Sequence, residues 1–184
     1  MQPIKADLPY PSTDCLTYDP HSGKIIAFAY ASLHSELTAI LQYTYHALQF
    51  KQYGKEFADT MEGIAITEME HLFLLGETML KTGVDPRFVQ YASCNAPFFN
   101  SSTVAQSTSP QKMLMDNIEG ELNAISDYKK MLMLLKNQQV SAIVQRIILD
   151  EQLHVETLKK LLEKTNALGL CGTNTDCCGE TYCD

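Results

Sequence analysis

Along four separate stretches of this chain, apolar residues recur at steps of three and four, the spacing that keeps side chains on one face of an α-helix. In the first, Ile40, Tyr43, Ala47 and Phe50 hold the step and predict a helix over about 23–53, stopped by Gly54. In the second, over 55–82, Phe57, Met61, Ile64, Leu75 and Met79 share a face, and Gly83 followed by Asp85-Pro86 ends the helix. Residues 84–108 show no period and carry Pro, Asn and Ser, so they read as a long connection. Ser109-Pro110 then places an N-capping hydroxyl before a proline at the first helical position, and Leu114, Ile118, Ile125 and Leu132 carry the face on to about 135. "KNQQ" makes the next turn, and Val144, Ile147, Leu158 and Leu161 mark a last helix over about 140–164. The expected architecture is all-α: a four-helix bundle of two helical hairpins joined by a long crossover. Residues 1–22 read as an extended, proline-rich arm, 23–164 as the bundle and 165–184 as a Cys-rich tail.

The same stripes carry residues that an apolar core does not ask for. Glu36 stands on the first, Glu68 and His71 on the second, Glu121 on the third, and Glu151 and His154 on the fourth. An ionised carboxylate removed from water costs several kcal/mol unless it is compensated, and four together repel one another. The stripes show no inward Lys or Arg, whereas two divalent cations would meet four carboxylates and two neutral imidazoles with balanced charge. These six residues are therefore candidate metal ligands. One Glu-x-x-His is a common surface pair, but here two fall at matched places. Glu36 precedes the first by 32 residues, Glu121 precedes the second by 30, and each single glutamate is followed seven residues later by a tyrosine, Tyr43 and Tyr128.

A glutamate from each of two helices, with Glu-x-x-His from each of the other two, resembles the ligand set of the ferritin-like di-metal carboxylate proteins over residues 23–164. The resemblance implies that Glu36 and Glu121 are single carboxylate ligands, Glu68 and Glu151 the carboxylates of the paired motifs, and His71 and His154 one imidazole for each of two manganese or iron ions. Tyr43 and Tyr128 would orient carboxylates by hydrogen bonds. Within the family the chain is similar to the rubrerythrin and manganese-catalase branches, which process hydrogen peroxide. It lacks the rubrerythrins' second third-helix glutamate, having Ala124 there, and it has no C-x-x-C knuckle. Alanine at that place is what manganese catalases tend to have, although the crossover is shorter than in their long-chain members.

The resemblance thus implies a peroxide-decomposing oxidoreductase with Glu36, Glu68, Glu121, Glu151, Tyr43 and Tyr128 at the reaction centre. Its partners would be hydrogen peroxide or dioxygen, an electron donor if the metal is iron, and further copies of the chain in a homo-oligomer. A ferroxidase feeding iron to storage, and a non-catalytic structural or coat-associated protein, are the alternatives.

A net charge of −8 with scattered Lys and Arg argues against nucleic acid, and no run approaches the ~18 apolar residues of a membrane span. A polar opening stretch without an apolar leader core makes the cytoplasm the expected location. Among the other histidines, His46 is expected to pack between helices and His21 and His34 to face solvent. Met61, Met79, Met113, Met115, Met131 and Met133 are expected to fill the core. Gly63 and Gly120 mark either a close approach or a path to the metals. Cys171, Cys177, Cys178 and Cys183 fit no trusted zinc spacing and read as disulfide-forming or redox-labile thiols, with an intersubunit metal clip also open.

Overall fold

The computed structural model describes residues 2–90 and 95–170, so Cys94 and the four tail cysteines lie outside the described residues. Among the described residues there are five α-helices: α1 Pro20–Ala31, α2 Glu36–Phe50, α3 Lys55–Thr82, α4 Pro110–Leu134 and α5 Gln138–Ala167. Helix α2 pairs with α3 and α4 with α5, and the crossover between the pairs holds one 3-10 turn, Ser101–Thr103, and a single bridge between Val89 and Phe98. The bundle of two hairpins and a crossover is the fold the pattern predicts. No helix of the described residues is long and apolar enough to cross a membrane.

The first predicted helix, 23–53, is corrected to two. Its apolar period runs through the break, which is made by hydroxyls instead. The Ser32 carbonyl accepts from Ser35 Oγ at 2.8 Å and Thr38 Oγ1 at 3.0 Å, while Ser35 Oγ caps α2 by accepting from the Thr38 N–H. Such short side chains offer the backbone partners that a continuous helix would otherwise supply. The break makes Glu36 the first residue of α2. Helix α1 starts at Pro20, behind Asp19, whose carboxylate accepts from the Ser22 N–H.

Two apolar clusters fill the bundle. One, with Ile26, Tyr30, Leu75, Met79, Ile143 and Ile147, lies among α1, α3, α4 and α5. The other, with Phe50, Phe57, Met61, Met113, Leu114 and Leu158, lies among α2 to α5. Along α3, Glu68 and His71 fall between Ile64 of the second cluster and Leu75 of the first. Burying each large aliphatic side chain contributes roughly 1.5–3 kcal/mol, and this surplus is what lets the middle of the bundle hold ionisable groups. Met115 and Met133, expected in the core, are instead 51% and 79% exposed.

Two glycines set the packing of α1 against the end of α3. A Cβ at Gly23 would lie 2.4 Å from Thr82 Oγ1 and 2.7 Å from Val84 Cγ2, both in the packed interior. At Gly83, φ is +89° and a Cβ would meet the ring of Tyr18, which is 79% exposed and free to swing aside. Gly23→Ala should therefore cost about 1–3 kcal/mol by overpacking, and Gly83→Ala about 1 kcal/mol from the backbone alone. Thermal melts of the two variants should show the larger loss at Gly23.

Candidate metal centre

Helical periodicity brings the six predicted side chains to one place. Each Glu-x-x-His spans almost one turn, so the carboxylate and imidazole point the same way, and α3 and α5 face each other with these pairs inward. Glu36, Glu68, Glu121 and Glu151 are 1–4% exposed, and His71 and His154 are fully buried. They form two quartets, Glu36, Glu68, His71, Glu151 and Glu68, Glu121, Glu151, His154, each offering ligand atoms within 4.8 Å of one another. Glu68 and Glu151 belong to both.

Both histidines turn the same nitrogen inward. His71 Nδ1 lies 3.5 Å from Glu36, 3.2 Å from Glu68 and 3.3 Å from Glu151. His154 Nδ1 lies 3.0 Å from Glu68, 3.5 Å from Glu121 and 3.2 Å from Glu151. The outer nitrogens are held by acceptors: His71 Nε2 by Asp150 Oδ2 at 3.0 Å and His154 Nε2 by the Ile4 carbonyl at 2.8 Å. A proton donated from Nε2 leaves the Nδ1 lone pair free to face a cation. The tyrosines cross the pseudo-symmetry: Tyr43 donates to Glu121, and Tyr128, seven residues after Glu121, donates to Glu36. Burial, with Glu121 beside one phenol and Glu36 beside the other, pushes both phenols well above their usual range, so both stay hydroxyl donors.

The ionisation of this cluster shows its surplus of negative charge. Burial, with Glu68 close to Glu36 and Glu151 close to Glu121, pushes Glu36 and Glu121 well above the carboxylate range. Burial also opposes charge on Glu68 and Glu151, and Glu68 opposes it on Glu151, but hydrogen bonds from Glu36 and His154 hold Glu68 below that range, and the charge of His71 with hydrogen bonds from both histidines holds Glu151 below it. Burial pushes the histidines down, but Glu36 and Glu151 around His71, and Glu121 around His154, outweigh it and raise both well above the ordinary imidazole value. Protons thus stand where cations would. Glu68 Oε1 is buried, and its near neighbour is the inward nitrogen of His154, at 3.0 Å. Oxygen and imidazole donors, with two carboxylates shared between the quartets, fit two divalent ions such as manganese or iron.

A cavity of about 220 Å³ reaches the carboxylates between α2 and α4, touching Glu36, Glu121, Tyr43, Tyr128 and Ala124. Gly120 also lines it, and a Cβ there would meet only Gln42 Nε2, at 3.9 Å, so this glycine keeps the path open. Gly63 has the other role: the arm crosses it, with the Ile4 N–H donating to its carbonyl at 3.1 Å. His46 is buried and packs between helices as expected, its Nδ1 2.9 Å from Asn117 Oδ1, while His21 and His34 are exposed.

Three groups about the site escape the stripe reading. Arg146, expected to be absent from the interior, is 5% exposed and donates from Nη1 to Asp150 Oδ1 at 2.7 Å. Asp150 also accepts from Tyr10 Oη and the Ala6 N–H, both at 2.7 Å. Burial would raise the Asp150 carboxyl, yet its bonds to His71, Arg146 and Tyr10 hold it far below its ordinary value. The signal lay in "QRIILDEQLH", where Arg146 and Asp150 sit one turn apart in an apolar run, beside rather than on the stripe. The Ile4 carbonyl left no signal, because any residue carries one.

The model of the ferritin-like domain family matches residues 30–168. No curated protein sequence matches the chain. Among solved structures, a manganese catalase from Anabaena superposes with a TM-score of 0.72 at 16% identity, over 97% of this chain and 85% of its own. A bacterioferritin from Mycobacterium tuberculosis gives 0.66 at 19% identity over 83% and 91%, and one from Desulfovibrio desulfuricans, described with a diiron site, gives 0.67 at 23% over 87% and 94%. With three-quarters of its length matched by the family, and buried carboxylates and histidines gathered between its helices, this chain belongs to the ferritin-like domain family.

Proposed function

We propose that this protein is a two-metal redox enzyme that decomposes hydrogen peroxide, holding two manganese or iron ions in the Glu36, Glu68, His71, Glu151 and Glu68, Glu121, Glu151, His154 quartets. The observation that carries the reading is that both quartets share Glu68 and Glu151, which makes the two positions neighbours that one small substrate can engage together. The resident ions would supply a two-electron change, one electron from each. Water in the liquid occupies roughly 30 Å³ per molecule, so a cavity of about 220 Å³ admits a few molecules of peroxide size.

Glu36 and Glu121 reach that cavity, and with ions in place of their protons they would be carboxylates positioned to take a proton from hydrogen peroxide and return it. Tyr43 and Tyr128 hold these two carboxylates from the far half of the bundle. With manganese, one peroxide loses two electrons and two protons to become dioxygen, and a second gains them to become two waters. With iron, the two electrons that reduce peroxide to water come from an outside donor.

A ferroxidase is the second reading, and a specific observation favours it. Glu119, exposed, stands on the cavity wall with Asp127, whose carboxylate is paired with Lys130 at 2.7 Å, so Glu119 is the acidic group at the approach that would draw cations inward. Elemental mass spectrometry after expression with both metals present separates the readings. Near two manganese per chain with oxygen release from peroxide supports the first. Near two iron, with rapid oxidation of added Fe(II) and no oxygen release, replaces it with the second.

Because Glu68 serves both quartets and Glu36 one, Glu68→Gln should reduce bound metal well below one ion per chain, while Glu36→Gln should leave about one. Elemental analysis of the two variants checks this.

Metal loading at neutral pH should release protons from the raised carboxyls and imidazoles, seen as a buffer-dependent heat in titration calorimetry. Groups raised in the fold stabilise it while protonated and stop doing so as pH climbs through their folded values. The metal-free protein should therefore lose thermal stability as pH rises above neutral, and the metal-loaded protein should not.

A further inference from the structure

The arm does more than cover the bundle. It lies across the face where His71 and His154 turn their outer nitrogens, the side of the cluster away from the cavity between α2 and α4. Its two attachments differ in kind. On the His71 side the arm holds Asp150 from outside, and a side chain, Asp150, bonds the imidazole. On the His154 side the arm's own main chain bonds the imidazole.

The two halves explain why. Glu68 and Glu151 are 83 positions apart, as are His71 and His154, and the same offset aligns Gly63 with Arg146 and Thr67 with Asp150. In α5 the residue before the glutamate is a carboxylate long enough to reach the other half's histidine, and Arg146 one turn earlier neutralises it. In α3 those two places hold a glycine and a threonine. Nothing on the side chains there reaches His154, and the space is filled by Ile4: its N–H donates to the Gly63 carbonyl at 3.1 Å and its carbonyl accepts from Thr67 Oγ1 at 3.0 Å as well as from His154. A Cβ at Gly63 would lie 2.9 Å from Ile4 Cγ1 and 3.1 Å from the Gln2 carbonyl, so the smallest residue is what admits the arm.

We infer that Ile4 is a positioning residue of the metal centre, its main-chain carbonyl holding His154 with Nδ1 toward Glu68, Glu121 and Glu151 in place of the carboxylate that α3 lacks. The two ion positions are then unequal by construction. The one beside His71 has an imidazole polarised by an anion, and the one beside His154 has an imidazole held by a neutral carbonyl belonging to a separate segment. The inference rests on the two-ion reading of the quartets and is independent of whether the substrate is peroxide or Fe(II).

The test is Mn(II) titration of the full chain, of a deletion of residues 2–5, and of Gly63→Ala, with ions per chain counted after gel filtration and helix content followed by circular dichroism. The deletion keeps Ala6 and Tyr10 on Asp150, so the expected result is one ion retained and the other weakened about 10–100-fold, the usual effect of removing a partner behind a ligating histidine. Gly63→Ala, which displaces the arm without touching the cluster, should weaken the same ion. Adding Thr67→Asn to the deletion supplies a neutral carbonyl one residue before Glu68 and should restore the second ion, a rescue that a purely structural arm would not show. Two ions held with unchanged affinity in the deletion and in Gly63→Ala would overturn the inference while leaving the centre intact. Fewer than two ions on the full chain would overturn the two-ion reading itself. Should the deletion fail to fold, nitrogen-15 histidine spectra of the zinc-loaded full chain decide: a proton on His154 Nε2 supports the inference, and a proton on Nδ1 ends it.

Discussion

Four carboxylates gathered in the interior, away from bulk water, are the constraint on which this molecule turns. Left as anions they would open the bundle, because the repulsion among them and the loss of hydration together exceed what any one helix contact returns. The fold answers with apolar clusters at either end of the site, whose contribution does not depend on the centre's ionisation, and with protons favoured on Glu36, Glu121 and both histidines where positive charge is needed. Those protons are placeholders of low valence. Divalent ions bring more charge to the same positions, and Glu68 and Glu151, already held as anions, are the groups best prepared to receive them.

The site is also sided. Carboxylates and phenols face a cavity between α2 and α4, and imidazoles face the arm. The first side is where the proposed reaction would admit small molecules and protons. On the second, Asp150 and the Ile4 carbonyl fix the rings, and Arg146 ties the arm down by donating to the Ala6 and Leu8 carbonyls at 2.7–2.9 Å. Chemistry and support are thereby separated, which allows the cavity wall to be lined by small residues such as Gly120 and Ala124 without loosening the ligands.

Much of this could be read from residue spacing, and the reasons for the gaps are physical. Steps of three and four located the bundle helices because burial of one face is what makes a surface helix stable, and the same steps placed the six cluster residues because they obey that period. The break at residues 32–35 stayed hidden because it is made by Ser35 and Thr38 hydroxyls, which interrupt a helix without interrupting its apolar rhythm. Arg146 and Asp150 were missed because they lie beside the stripe and meet the arm, a segment with no period of its own. Met115 and Met133 were assigned to the core by composition, and position decides otherwise.

The break has a kinetic meaning as well as a geometric one. Glu36 is the first residue of α2, while Glu121 sits in the middle of α4, far from either end. Helix ends fray at small free-energy cost, whereas the centre of a packed helix opens only with its neighbours. Transient unwinding of the first turn of α2 withdraws one carboxylate and leaves the other five candidate ligands in place, a hinged latch beside a fixed wall. With ions held as proposed, their exchange with the surroundings would be a local event at the Glu36 end, on a clock set by one helix terminus and not by the stability of the whole bundle.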